Sequence, residues 1–331
     1  MDSTTRPRRG ILLLGALAAA ALVLVGCTVD PISSSAESGE TRPEGPVRIA
    51  MVTHGDDGGF WSVVRRGATD ASESLDVVLD YQAAANDSQL QDQMIKAALL
   101  AGAEALAVSA ADEGAVRSGI AQAAQAGIPI VTFNSGAQLA EANDAIMVHV
   151  GQSEFIAGEE AGRRMGEAGF TKVLCIIHEQ NNIGLQERCD GARTGLEDSG
   201  AEAINVQVTG KADPGSTARE VAAAVAAQSP DAVLTLDPDI AMAALGSIKD
   251  TGVPLATFDL SADVLDAVSV GDILFAIDQQ QYMQGYLPIV FLELAVRNGN
   301  EVVGDIVLTG PSFITQDNAA DVAALAEQGT R

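Results

Sequence analysis

The chain has 331 residues, 47% of them hydrophobic and only 4% aromatic, and a formal net charge of −26. That length can bury two cores of ordinary size. A surface this acidic repels phosphate backbones, which excludes nucleic acid as a partner.

In chain order, the first segment is not expected to belong to the fold. Arg6, Arg8 and Arg9 precede an apolar run, Ile11 to Val25, that ends in Leu24-Val25-Gly26-Cys27. A basic start, a short apolar core and small residues before the end predict an export signal over residues 1–26. The run is shorter than the ~20 residues a membrane-spanning helix needs. Leu-Val-Gly-Cys resembles a bacterial lipobox, which would make Cys27 the acylated N-terminus; the alternative is a plain secretory signal. Residues 27–46 are then the anchor cysteine and a polar Pro/Ser/Glu/Gly tether.

From Val47 onward, short β-branched runs alternate with amphipathic stretches. The predicted strands are Val47–Thr53, Val77–Gln82, Ala105–Ser109, Ile128–Phe133, Ile146–Val150, Lys172–His178, Ile204–Val208, Ala232–Leu236, Pro254–Phe258 and Leu274–Asp278. Helical spacing fills most gaps; in Gln89 to Leu100, for example, Leu90, Met94, Ala97 and Ala98 share a face. Runs such as Lys172-Val-Leu-Cys-Ile-Ile are apolar throughout, as in strands buried on both sides. Repeated β-α units predict an α/β fold of parallel sheets covered by helices. Gly127-Ile-Pro-Ile-Val-Thr-Phe-Asn134 recurs as Gly252-Val-Pro-Leu-Ala-Thr-Phe-Asp259, so two similar units are expected. Cys175 and Cys189 are either a disulfide, which export favours, or two buried thiols.

Ligands of parallel sheets bind beyond the carboxyl ends of the strands. The strand ends here offer His54, Asp56, Asp57, Phe60 and Trp61, then Ser109 with Asp112, and Asn134 with Ser135. Later ends offer Glu179 and Arg188, Asp237, Asp259 and Gln279. Carboxylates accept, arginine donates, and amides do both. Aromatic faces pack on the C–H faces of a ring. That inventory suits a small neutral polyhydroxylated ligand. No dinucleotide fingerprint, phosphate loop or nucleophile elbow is present. His178-Glu179 lacks the second histidine of a zinc helix. No catalysis, metal or cofactor is expected. Phe60 and Trp61 could instead anchor the core, Asp259 could be a helix N-cap, and Arg188 could be a surface arginine.

Taken together, Phe60-Trp61 with Gly67, Val150-Gly-Gln-Ser-Glu-Phe-Ile-Ala-Gly158, Arg188-x-x-Gly191, Thr257-Phe-Asp-Leu-Ser-Ala-Asp263 and Ala276-Ile-Asp-Gln-Gln-Gln-Tyr-Met-Gln-Gly-Tyr286 resemble the type I periplasmic binding proteins of the ribose- and galactose-binding kind. The resemblance implies two Rossmann-like lobes joined by crossovers, residues 47–149 with 280–310 and residues 150–279 with 311–331. It implies a monomeric extracytoplasmic receptor that closes over a monosaccharide and delivers it to an ABC permease. It implies ligand contacts from Phe60, Trp61, Asn134, Arg188, Asp237, Asp259 and Gln279, with Asp57, Ser109 and Asp213 as secondary candidates. The family's ribose binders carry Asp-Arg where this chain has Asn134-Ser135. They also place an aromatic where Lys211 to Ser216 has none, and an asparagine where Gly58 stands. A polyol, a nucleoside or a small signalling molecule is therefore an alternative ligand, and a sensing lipoprotein an alternative role.

Overall fold

The computed structural model describes residues 45–331, apart from 57, 211 and 212. The expected signal, Cys27 and nearly all of the tether, together with Asp57, lie outside the described residues.

The first run of elements is β1 (Val47–Thr53), α1 (Gly59–Leu75), β2 (Val77–Ala83), α2 (Ser88–Leu100), β3 (Ala105–Val108), α3 (Glu113–Gln125), β4 (Ile130–Phe133), α4 (Ala137–Glu141) and β5 (Ile146–Gly151). A second run follows: α5 (Glu154–Glu167), β6 (Lys172–Ile177), α6 (Ile183–Glu197), β7 (Glu202–Gln207), α7 (Pro214–Gln228), β8 (Ala232–Thr235), α8 (Pro238–Ile248), β9 (Leu255–Phe258), α9 (Ala262–Val270) and β10 (Ala276–Asp278). The chain ends with α10 (Gln281–Asn298), β11 (Ile306–Leu308), β12 (Ser312–Ile314) and α11 (Ala319–Glu327).

Two six-stranded sheets result, ordered β11-β5-β4-β3-β1-β2 and β12-β10-β9-β8-β6-β7. All described pairings between these strands are parallel except β10 with β12. The chain passes between the sheets after β5, after β10, and between β11 and β12. The ten expected strands are all present, with small shifts at their ends. The two additional three-residue strands, β11 and β12, close the far edges of the sheets.

Each sheet is apolar on both faces. Ile49 and Met51 of β1 join one core cluster and Ala50 and Val52 the opposite one. In β6, Val173, Cys175 and Ile177 face one cluster, and Leu174 and Ile176 the other. This two-residue alternation of apolar side chains is what helices on both faces demand. Helix starts are set by short polar caps just after strand ends: Asp87, Asp112, Ser153, Asn182, Asp213, Asp237 and Ser261 each accept a backbone N–H of the first turn.

Two helix pairs fix the geometry at the strand ends. On α5 and α6 the backbones meet through glycine; a Cβ on Gly158 would lie 2.0 Å from Arg188 O, and one on Gly191 2.0 Å from Phe155 O. The pair α1 and α10 repeats the arrangement through Gly67 and Gly285. A disulfide between Cys175 on β6 and Cys189 on α6 ties strand to helix inside the core.

Candidate ligand-binding cleft

The sequence repeat has a structural cause. Gly127 and Gly252 both take a left-handed conformation, φ 69° and 73°, after the preceding helical segment, where glycine is the residue of least strain. The residues that follow β4 and β9, Asn134 and Asp259, are also left-handed, φ 60° and 67°. Asn and Asp tolerate that region better than other side-chain-bearing residues. The turn removes both side chains from the strand direction and directs them into one chamber between the sheets.

All seven leading candidates line that chamber. The first turn of α1 supplies Phe60 and Trp61. Their two readings are compatible, because both rings also belong to the core cluster under the first sheet. Trp61 makes edge contacts with His54, Phe60 and Phe133 at centroid distances of 4.9, 5.1 and 6.4 Å, so a ligand would meet a rigid wall.

Arg188, on α6, is 4% exposed. Its Nε and Nη2 donate to the two carboxylate oxygens of Glu154 at 2.6 and 3.1 Å. Its Nη1 donates to Leu236 O at 3.2 Å and stands 3.7 Å from Asp259 Oδ2. The guanidinium lies over the ring of Phe258, 4.5 Å from its centroid. A surface role for Arg188 is thereby ruled out. Burial alone would lower its pKa, but the charges of Glu154 and Asp259 and the hydrogen bond from Glu154 hold it raised.

Asp259 is not a helix cap. Ser261 caps α9, and the Asp259 carboxylate accepts instead from Gln279 Nε2 at 2.7 Å. Burial pushes its pKa up to about 7, against the pull of Arg188 and Gln279 and with the repulsion of Asp237 and Glu154. Asp237 uses Oδ1 to cap α8 while its side chain lines the chamber. Asn134 reaches across from the first sheet, its Nδ2 3.3 Å from both Gln279 Oε1 and Gln284 Oε1.

Two secondary candidates stand elsewhere. Ser109 is fully buried behind His54, with its hydroxyl 2.9 Å from the His54 backbone N and 2.8 Å from Nδ1. It orients that imidazole and does not face the chamber. Asp213 is an exposed cap, its carboxylate accepting from Ser216 N.

Sequence reasoning missed Glu154 and Gln284. Glu154 sits in the first turn of α5, 6% exposed, and also accepts from Gln152 Nε2 at 2.9 Å. Fully buried Gln284 donates to Gln279 Oε1 and to Thr309 Oγ1. The result is one chain of polar contacts: Gln152, Glu154, Arg188, Asp259, Gln279, Gln284, Thr309. It starts at the connection after β5, passes through the chamber, and reaches the connection that leaves β11. The signal available for Glu154 was its place three residues beyond a strand end, opposite an arginine that burial obliges to pair.

Chemically, the chamber can donate, accept and pack. Its described lining holds one arginine against four carboxylates, Glu154, Glu179, Asp237 and Asp259, and its walls come from both sheets. It encloses about 40 Å³, far less than the roughly 300–1,000 Å³ of ordinary ligand pockets. A ring enters only if the two halves separate.

A two-sheet α/β scaffold with a polar chamber between the strand ends defines a solute-binding protein. The sequence profile of the periplasmic binding protein domain matches residues 49–301, and the chain belongs to that family. It is 35% identical to a carbohydrate transporter protein of Acidothermus cellulolyticus solved in complex with myo-inositol; the match covers 86% of this chain and 100% of that one, with a TM-score of 0.82. A xylose/arabinose-binding protein of Sulfolobus acidocaldarius is 24% identical, over 83% of this chain and 73% of its own length. A xylitol-binding protein of Mycolicibacterium smegmatis is 24% identical over 94% of this chain and 87% of its own length.

Proposed function

We propose that this chain is an extracytoplasmic receptor that captures a small neutral polyhydroxylated ring and delivers it to an ABC permease. One observation carries the reading: hydrogen-bonding side chains from the strand ends of both sheets converge on a single chamber walled by Phe60 and Trp61. Neutrality follows from the charges. Arg188 is already matched by Glu154 and Asp259, and the described lining of the chamber holds no further lysine or arginine for an anionic ligand. The relatives that bind myo-inositol, xylose or arabinose, and xylitol support a sugar or cyclitol.

The working parts are two hinged lobes, residues 47–149 with 280–310 and residues 150–279 with 311–331. Asn134 serves the first, Arg188, Asp237 and Asp259 serve the second, and Gln279 lies at the crossing. Only a ligand that touches both lobes favours the closed form, since differential affinity alone shifts such an equilibrium. Acylation at Cys27 would hold the receptor on the membrane as a monomer. The test is a thermal-shift screen of residues 28–331 against pentoses, hexoses, cyclitols, linear polyols and nucleosides. A ligand at 100 times its Kd adds about 2.7 kcal/mol of stability. A stereospecific shift from one sugar or cyclitol is expected; no shift from any sugar or polyol rejects the reading.

A further inference from the structure

A second, larger chamber adjoins the first. It encloses about 450 Å³, a volume within the usual range for ligand pockets. His54, His178, Glu179 and Asn182 line both chambers. His54 Nε2 and Asn182 Nδ2, 3.5 Å apart, form part of the partition. The outer walls come from both sheets. Asn86, Gln91 and Asp112 belong to the β2–α2 and β3–α3 region, and Thr209 follows β7.

The inner wall is fixed in place. Fully buried Gln91 donates from Nε2 to Ser109 O at 2.7 Å and to Val52 O at 3.4 Å, tying α2 to the ends of β3 and β1. The described lining holds Asp56, Asp112 and Glu179 but no lysine or arginine, so it suits a neutral ligand and disfavours phosphate or carboxylate.

We propose that the outer chamber is a second sugar subsite, so that the preferred ligand is a disaccharide or glycoside whose first ring occupies the buried chamber. The inference rests on the receptor reading and deepens it. The linkage would pass the partition in place of the His54–Asn182 contact. The second ring would meet the amides and carboxylates of both walls.

Calorimetric titration compares single rings (myo-inositol, D-xylose, D-ribose, L-arabinose, D-glucose and D-galactose) with two-ring probes (galactinol, xylobiose, arabinobiose, cellobiose and melibiose). At least one two-ring probe is expected to bind tenfold or more tightly than its parent ring. In Ala85→Trp, where bulk is added at an exposed position of the outer wall, that preference should vanish. Ala85 already has φ 51°, so the larger side chain brings no new backbone strain. Single rings that bind without any two-ring probe binding more tightly would overturn the second subsite and leave the receptor reading standing. A two-ring preference that survives Ala85→Trp would place the second ring elsewhere and overturn it as well. If none of the compounds binds, the receptor reading falls and takes this inference with it.

Discussion

The guanidinium of Arg188 is held by two carboxylates, a carbonyl and an aromatic face, in a setting where an unpaired charge would be untenable. Breaking such a buried pair costs about 3–5 kcal/mol, because the partner's charge is stranded. Arg188→Ala is therefore expected to lower the urea midpoint and to weaken ligand binding at least tenfold; an unchanged midpoint would show the pair to be dispensable. Asp259 offers a pH signature. With its pKa at about 7, its ionised fraction rises about tenfold from pH 6 to pH 8. A ligand hydroxyl donates more strongly to the ionised form, so affinity should rise by up to that factor over this range. Calorimetry at several pH values should show the slope in the wild type and lose it in Asp259→Asn. Trp61, the single tryptophan, should report binding by fluorescence. Asp259 was legible because it follows a strand end, and Arg188 because Arg188-x-x-Gly191 resembles the spacing in ribose- and galactose-binding proteins. Glu154 was not, because a buried arginine announces that it needs a carboxylate without saying which one, and this one lies 34 residues away.

The helix pair α5–α6 delivers Glu154 and Arg188 from facing surfaces, and its glycines make the approach close enough for them to meet. Gly191→Val would drive a side chain into Phe155 O. Overpacking of this kind typically costs 1–3 kcal/mol. The change should reduce both stability and ligand affinity, since it moves the residue that holds Arg188; a stability loss with normal affinity would contradict this. The Cys175–Cys189 disulfide closes a short loop, with a sequence separation of 14. The double variant Cys175→Ala/Cys189→Ala should lose about 2–3 kcal/mol in urea unfolding without reductant, and an equal midpoint would argue against the bond. Ten strands were legible from alternation and from continuous apolar runs, β10 through the apolar stretch Leu274 to Ile277 that leads into it. Strands β11 and β12 were not. Three residues carry no period, and each is specified by its neighbour, β5 or β10, rather than by its own sequence.

The two halves already touch through polar groups. Ile183 N donates to Ala111 O at 3.3 Å, Gln138 bonds Glu187, and Asn134 reaches Gln279. Beside these contacts, burial and the charges of Glu154, Glu113, Asp190 and Glu141 raise Glu187 to about 7. Burial also raises Glu113, against the pull of Leu139 N and Arg117. A carboxyl whose pKa is raised on folding contributes stability below its unfolded value near 4, and that contribution is lost as pH rises toward the folded value. Thermal stability should thus fall from pH 5 to pH 8. Glu187→Gln should show a gain over wild type that grows across that interval; a constant difference would remove Glu187 as the cause. The repeat at Gly127 and Gly252 made a two-unit molecule legible from the sequence. The polar chain from Gln152 to Thr309 was not, because it joins residues from five separate stretches. The central claim is that one ligand is gripped from both sheets at once. Its most direct test is calorimetric titration of the best sugar or cyclitol from the screen into wild type, Asn134→Ala and Asp259→Ala. One site per chain is expected, with each variant weaker by about 1–3 kcal/mol, the price of leaving a buried polar partner unmatched. Wild-type affinity in either variant would mean that the ligand is held from one side only, and would contradict it.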